Sequence, residues 1–319
     1  MEETRVAISG NGADSADVSE AESRRLICVP ADKRESLESR LRAIQKLRGR
    51  ALFVLISQMI DEDVCKEVYR WRKELESADA EDLDVLIHSP GGSLNACYRT
   101  ARFIANHTDD WQALVPAMAA SGATMICLGS SLVVMGEMAQ LGPIDPQVLS
   151  RRHERFFTSE RQSPLESFQA MKYLREYSLT SLDAGMSFLL EHDVNPHVAL
   201  ETAGKLAMDM IKPVLAKVEP YDLGSFALDS NLATAYCRRI SDPSDPEMRT
   251  QRNVQYRSLV EDYPAHEFII DIEEARTLGF YVTSPVDPLG DIFDQLREEL
   301  DGVHTCVGLL GPTEREGAS

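Results

Sequence analysis

The chain has 319 residues, of which 43% are apolar and 27% charged, a globular balance with enough apolar residues for a large core. Its net charge of −19 repels nucleic acid and anionic membranes, so neither is expected as a partner. The six cysteines stand singly, with no Cys-x-x-Cys pair and no Cys/His spacing suited to zinc; they read as reduced thiols of a cytoplasmic protein, and no metal is expected.

Residues 1–22 are polar and acidic, lack the apolar core of a signal peptide, and read as a disordered tail. No apolar run reaches the ~18 residues of a membrane span, so a soluble protein is expected. Arg34 to Leu47 has helical spacing through Leu37, Leu41 and Ile44. Ala51–Ile56 is an apolar run of strand length, and Asp61 to Glu76 reads as a helix with Val64, Val68, Trp71 and Leu75 on one face. Leu83–Ile87 is a second strand. It is followed by a Gly-Gly turn and a helix over Leu94–Ala105. Ala113–Met118 is a third strand, Ala123–Leu128 a short helix, and Leu132–Met135 a fourth strand. Strands alternating with helices, and apolar throughout rather than at every second residue, predict an α/β fold whose parallel sheet is covered on both faces.

From Pro164 to Cys237 the pattern is helical, with Val198–Val218 and Leu223–Cys237 as two of its helices and Lys212–Pro213 as a boundary. Tyr263–Ile270 reads as a short strand; Asp271 and Glu274 have capping-box spacing, and Gly279 suits the end of that helix. The expected organisation is therefore a tail over 1–22, one domain over 23–302 with a helical insertion at about 164–240, and a frayed tail over 303–319.

Two turns carry the chemistry. In the first, a strand runs into His88–Ser89–Pro90–Gly91–Gly92–Ser93; in the second, another runs into Ala119–Ala120–Ser121–Gly122. Gly91–Gly92 is either a tight strand-to-helix turn or a set of unhindered amide donors for an anion. Ser121 is either a plain helix N-cap or a nucleophile at a helix start, where the neighbouring Gly122 amide helps hold an oxyanion. The small residues Ala119, Ala120 and Ala123 leave room for a substrate to approach. A third segment, Leu141–Gly142–Pro143–Ile144–Asp145–Pro146–Gln147, is rigid loop chemistry.

The order of these pieces resembles the serine dehydrogenase proteinase family, within the ClpP and SppA-like class of serine peptidases. The matching pieces are His88–Ser89–Pro90–Gly91–Gly92, Val115–Gly122, Leu141–Gln147, Tyr263–Pro264–Ala265–His266 and Glu274–Gly279, spread over residues 50 to 282. The resemblance implies a ClpP/crotonase-type spiral of parallel strands and helices with a helical C-terminal portion. It further implies Ser121 as nucleophile, amides of Gly91 or Gly92 with Gly122 as oxyanion hole, a polypeptide substrate, no cofactor and a homo-oligomer. The N-terminal membrane helix of some such proteins has no counterpart in this sequence.

The base is open at this level. ClpP proper uses a histidine soon after the serine, where this chain has Asp145 and Gln147, with His153 in a basic stretch a little further on. SppA-like members use a lysine tens of residues downstream. After Ser121 the lysines are Lys172, Lys205, Lys212 and Lys217. A neutral lysine needs burial. Lys172 borders Phe168 and Met171, whereas Lys205 has Glu201 and Asp209 one turn away on either side, so Lys172 is the expected base. His266 remains as a histidine with structural or catalytic use, and His88, at the end of a buried strand, reads as a core histidine. The expected function is a serine endopeptidase. The rival expectations are an acyl-CoA enzyme of the same fold and a non-catalytic scaffold that binds a protein partner.

Overall fold

The computed structural model describes residues 31–77, 82–108, 110–144, 148–149, 161–162, 164–216, 220–241, 255–300 and 302–310. Helix α1 (Ala31–Arg48) leads into β1 (Ala51–Ser57), α2 (Glu62–Arg70), α3 (Arg72–Ser77) and β2 (Asp82–His88). Then come α4 (Leu94–Asn106), β3 (Asp110–Val115), the two-residue β4 (Met118–Ala119), α5 (Gly122–Cys127), β5 (Leu132–Met135) and β6 (Gln140–Leu141). A short antiparallel pair, β7 (Val148–Leu149) and β8 (Arg161–Gln162), precedes three long helices: α6 (Pro164–Glu191), α7 (Pro196–Leu215) and α8 (Pro220–Ile240). A π-helical turn (Ser258–Asp262), α9 (Ile272–Thr277), β9 (Val282–Thr283), α10 (Leu289–Leu300) and β10 (Thr305–Leu310) complete the order.

The fold is α/β. Its six-stranded sheet runs β10-β1-β2-β3-β5-β9, parallel except for β10, which pairs antiparallel with β1. The continuous apolar strands are explained by burial on both faces. Phe53, Leu55, Val85, Ile87, Ala113 and Val115 belong to the core that also holds residues of α2, α4 and α5. Leu52, Val54, Ile56, Leu86, Leu114 and Val134 face the other way, into a core shared with α1 and α10. Each fully buried Val, Leu, Ile or Phe stabilises the sheet sandwich by about 1.5–3 kcal/mol.

The predicted helix over 61–76 is two helices that meet at Trp71. The first starts where the Asp61 carboxylate accepts the Asp63 and Val64 N–H groups, each at 3.0 Å. At α9 Asp271 accepts the Glu274 N–H as expected, but the Glu274 carboxylate takes the Tyr263 hydroxyl instead of completing a capping box. Gly279, with φ +83°, follows this helix. Tyr263–Ile270 is not a strand: only Ile270 pairs, in an antiparallel bridge with Leu141. Pro213 lies in the last turn of α7 rather than at its boundary, since a proline there removes one hydrogen bond but leaves the helix its other end.

The segment expected as a frayed tail over 303–319 instead contains β10. Cys306–Leu310 is apolar and buried, and its register with β1 runs from Leu52↔Leu310 to Ser57↔Thr305. Strand β10 thereby covers an edge of β1 that would otherwise present open backbone groups.

In the helical region, α6 and α7 pack through small side chains. Ala199, Ala203 and Ala207 are buried on α7, and a Cβ placed on Gly185 of α6 would lie 3.0 Å from that of Ala203. Several larger apolar residues of the pair lie outward, among them Tyr173, Leu179, Phe188, Leu200, Leu206 and Met208, each more than half exposed. No helix among the described residues is long and apolar enough to cross a membrane.

Candidate active site

At the C-terminal end of β2 the chain turns sharply, and hydrogen bonds fasten that turn on two sides. The Ser89 N–H donates to the Met118 carbonyl and the Ala120 N–H to the Ser89 carbonyl, both at 3.0 Å, which joins the turn to the residues leading into Ser121. On the other side the Ile60 N–H donates to Gly91 O and the Ser93 N–H to Ile60 O, both at 2.8 Å. Ser89 also closes a local loop: its Oγ accepts the Gly91 N–H at 3.1 Å and lies 3.2 Å from the Gly91 carbonyl.

Glycine is required at these positions by close approach. Gly91 has φ +114°, and a Cβ there would lie 2.8 Å from the Ser121 Cβ and 3.0 Å from the Gly122 nitrogen. At Gly92 a Cβ would collide with the Ile60 backbone, 2.5 Å from its nitrogen. At Gly122 it would run into the Cys97 sulfur, and it would lie 3.6 Å from the Gly92 amide nitrogen. The two turns are therefore in contact. The structure brings Gly91, Gly92, Ser121 and Gly122 together.

Backbone accounting separates the glycines. The Gly91 N–H is taken by Ser89, whereas those of Gly92 and Gly122 are donated to no other group among the described residues. Two unused donors beside a serine are the arrangement that holds a developing oxyanion.

Ser121 does not have the geometry of a plain N-cap. Its backbone is at φ 51°, ψ −121°, and its side chain makes no capping hydrogen bond. Asp61, a true cap of the same fold, is extended and bonds two amides. A non-glycine residue in so sparsely populated a region costs about 1–3 kcal/mol and persists only where its surroundings hold it. Here α5 begins immediately at Gly122, and the sharp strand-to-helix turn presents the half-buried Ser121 hydroxyl beside the Gly91–Gly92 turn.

The residue that fixes this turn is Thr124, which is fully buried. Its Oγ1 accepts the Gly142 N–H at 3.0 Å and lies 2.6 Å from the Ala119 carbonyl and 2.8 Å from that of Gly142. A Cβ on Gly142 would touch Ala120 at 3.0 Å and approach the Ser121 nitrogen at 3.5 Å. Leu141, the neighbour of Gly142, exchanges both backbone hydrogen bonds with Ile270, and Ile144 donates to Leu259. The Leu141–Ile144 loop thus ties the serine turn to the segment that contains His266. Sequence reasoning missed Ser89 and Thr124. A serine two residues before a glycine turn was a usable signal for the first, and none pointed to the second.

No hydrogen bond of the Ser121 hydroxyl occurs among the described residues. Lys172 stands exposed on α6, a helix that packs against α7, α8 and the π-helical turn. Its neighbour Met171 is half-buried, but the lysine lies on the outer side of the helix. Lys205 and Lys212 are exposed as well. His88 ends β2 and is buried; His266 is half-buried. Asp145, Gln147, His153 and Lys217 lie outside the described residues. Near His266 in sequence, Tyr263 packs against Phe268 with tilted rings, 4.8 Å between centres. Burial, and then the hydrogen bond its hydroxyl gives Glu274, push the Tyr263 phenol well above its usual range. No cluster of acidic, histidine or cysteine side chains suited to a metal occurs among the described residues.

Residues 37–157 match the family of ClpP-like SDH-type serine proteinases, the one the motifs resemble. That stretch contains Ser121 and all three glycines, but not α6 or His266. Two uncharacterized proteins of Methanocaldococcus jannaschii are similar over 66 residues, at 39% and 33% identity. In each case the similar stretch is 21% of this chain and 23% of the relative.

Proposed function

We propose that this protein is a serine peptidase in which Ser121 attacks the peptide carbonyl and the Gly92 and Gly122 amides hold the tetrahedral oxyanion. The observation that carries this reading is the backbone of Ser121. Its strained geometry is maintained beside two amide donors that no other group among the described residues uses, at the cost of an ordinary helix cap. Because Gly91 already donates to Ser89, its role is to let the turns approach rather than to bind the oxyanion.

For the base we propose Lys172. A lysine takes a proton from serine only when neutral, and neutrality near pH 7 requires a desolvated amine. The exposed position of Lys172, among outward-facing apolar residues of α6 and α7, fits a homo-oligomer that covers this surface and buries the amine. The cysteines Cys65, Cys97, Cys127 and Cys237, buried and outside any disulfide among the described residues, fit a reducing, cytoplasmic setting.

A fluorophosphonate probe with peptide mapping tests the reading. Labelling at Ser121 that vanishes in Ser121→Ala, with fold and oligomer size unchanged, is the expected result. Lys172→Ala is expected to slow labelling by about 10²–10⁴-fold, the usual contribution of a positioned base. A folded, assembled protein that never labels would instead be a non-catalytic scaffold.

A further inference from the structure

Helix α6 has two working sides. One meets α7: the Leu182 side chain lies 4.0 Å from where a Cβ on Gly204 would stand, and a Cβ on Gly185 would lie 3.0 Å from that of Ala203. On another side Tyr173, Tyr177 and Phe188 are exposed by 66%, 41% and 60%. Tyr173 and Tyr177 share a face, with their rings stacked at 6.2 Å between centres. With Ser181 and Ala184 these residues form one stripe, in the order 173, 177, 181, 184, 188, which follows the turns of the helix over about 23 Å. The hydroxyl at its middle, that of Ser181, already donates to the Tyr177 carbonyl. A fully buried aromatic side chain covers about 150–250 Å², so the three rings leave roughly 250–400 Å² of this face open, the size of patch that on a soluble chain marks a contact surface.

We propose that this stripe is covered by the same stripe of a second copy, the two α6 helices packing antiparallel about a two-fold axis beside Thr180 and Ser181. The stripe is self-complementary in that arrangement. Reversal about this point sets Tyr177 opposite the small Ala184, and Tyr173 opposite Phe188, with Ser181 at the crossing where the backbones come closest. A parallel alignment sets Tyr177 on Tyr177 and leaves a gap between the two Ala184 residues. Charge favours the same direction. From Glu176 to Gly204 the α6–α7 arm holds Glu176, Asp183, Glu191, Asp193 and Glu201 and no lysine or arginine. Parallel docking brings two such acidic ends together, whereas antiparallel docking sets each toward the partner's Arg175 and Lys212, which make no ion pair within their own chain. The same carboxylates repel an anionic membrane. This arrangement gives a geometry to the assembly invoked above for Lys172, but it stands on α6 itself and needs no peptidase chemistry.

Two measurements on the full-length protein test this. Sedimentation equilibrium gives the mass and its concentration dependence. Cross-linking by a short bismaleimide is followed in Ser181→Cys, with Leu228→Cys, exposed on α8, as the control site. The unmodified chain is expected at twice the single-chain mass or a multiple of it. Ser181→Cys is expected to form a cross-linked dimer about tenfold faster than Leu228→Cys, because the axis holds its two thiols together. Ala184→Glu changes a residue exposed in the single chain, so the fold is kept, and sets a carboxylate against the partner's Tyr177. It is expected to weaken association by about thirtyfold or more, the effect of losing one central contact. A single-chain mass for the unmodified protein, equal cross-linking at the two sites, or undiminished association of Ala184→Glu would overturn the proposal. A monomer that floats with phosphatidylcholine vesicles would also overturn it, and would assign the stripe to a lipid surface. None of these readouts involves Ser121, so a failure of the peptidase reading leaves them unmoved.

Discussion

The two ends of the central sheet are built on opposite principles. At the end where β1 and β2 begin, charges are matched. Asp84, 1% exposed on β2, is held by Arg48 through bonds of 2.7 and 3.0 Å and by Arg50 in an ion pair at 3.0 Å. Arg48 also donates to Gln112 of β3 at 2.7 Å, so three neighbouring segments are clamped at one point. The Asp84 carboxylate bound to it holds the Arg48 guanidinium above its already high range. At the opposite end, where β2 and β3 finish, the Gly92 and Gly122 amides have no acceptor among the described residues and a serine sits in a strained backbone. One end of the sheet secures the fold, and the stability it provides lets the other hold the strained serine proposed as nucleophile.

Substitutions at each end sharpen this contrast. The largest stability effect is expected at the charged end. Asp84→Ala removes the buried carboxylate shared by two guanidinium groups, leaving Arg48 with Gln112 and Arg50 with the more exposed Asp82 and Asp110, and should lower the unfolding free energy by about 3–5 kcal/mol, read by urea denaturation. Labelling of Ser121 per folded molecule should change little in that variant. A rise in stability, or a selective loss of labelling, would break the division between the ends. At the serine end Thr124→Val should cost about 1–3 kcal/mol by leaving the Gly142 N–H without its acceptor. It should also slow labelling at least tenfold, because the turn and the Leu141–Ile144 loop lose their common anchor, and Thr124→Ser should restore most of both. The smallest expected effect has the opposite sign. Ser121→Gly abolishes labelling yet should stabilise the protein by about 1 kcal/mol, since glycine occupies this backbone conformation without strain.

Legibility in the sequence followed the range of the interactions. Strands β1, β2, β3 and β5 were readable because each is dominated by a near-continuous apolar run, which burial on both faces demands. Gly91, Gly92 and Ser121 were readable because close backbone approach leaves few residue types able to serve. Strand β10 was not, since its place is set by pairing with a strand far away in the chain, and a run ending in Gly308–Leu309–Leu310 near a polar terminus looks like a tail. Thr124 was hidden because its function lies in bonds to Ala119 and Gly142, on either side of it in sequence but joined only by the fold. The exposure of Lys172 was hidden for the reverse reason. Apolar neighbours normally signal burial, but α6 and α7 approach closely at small residues such as Gly185 and Ala203, and several of their larger side chains stay exposed.

The pairing of β10 with β1 also fixes when the molecule can be completed. Ser57 and Thr305, which face each other at the end of this ladder, are 248 residues apart. At ordinary translation speeds of roughly 5–20 residues per second, β1 leaves the ribosome roughly 10–50 s before its cover is synthesised. During that interval its outer backbone, flanked by some of the most apolar side chains in the protein, is available to any other nascent strand. The sheet therefore needs a temporary guardian during synthesis, and a truncated product ending before residue 305 would aggregate rather than accumulate as a smaller folded protein.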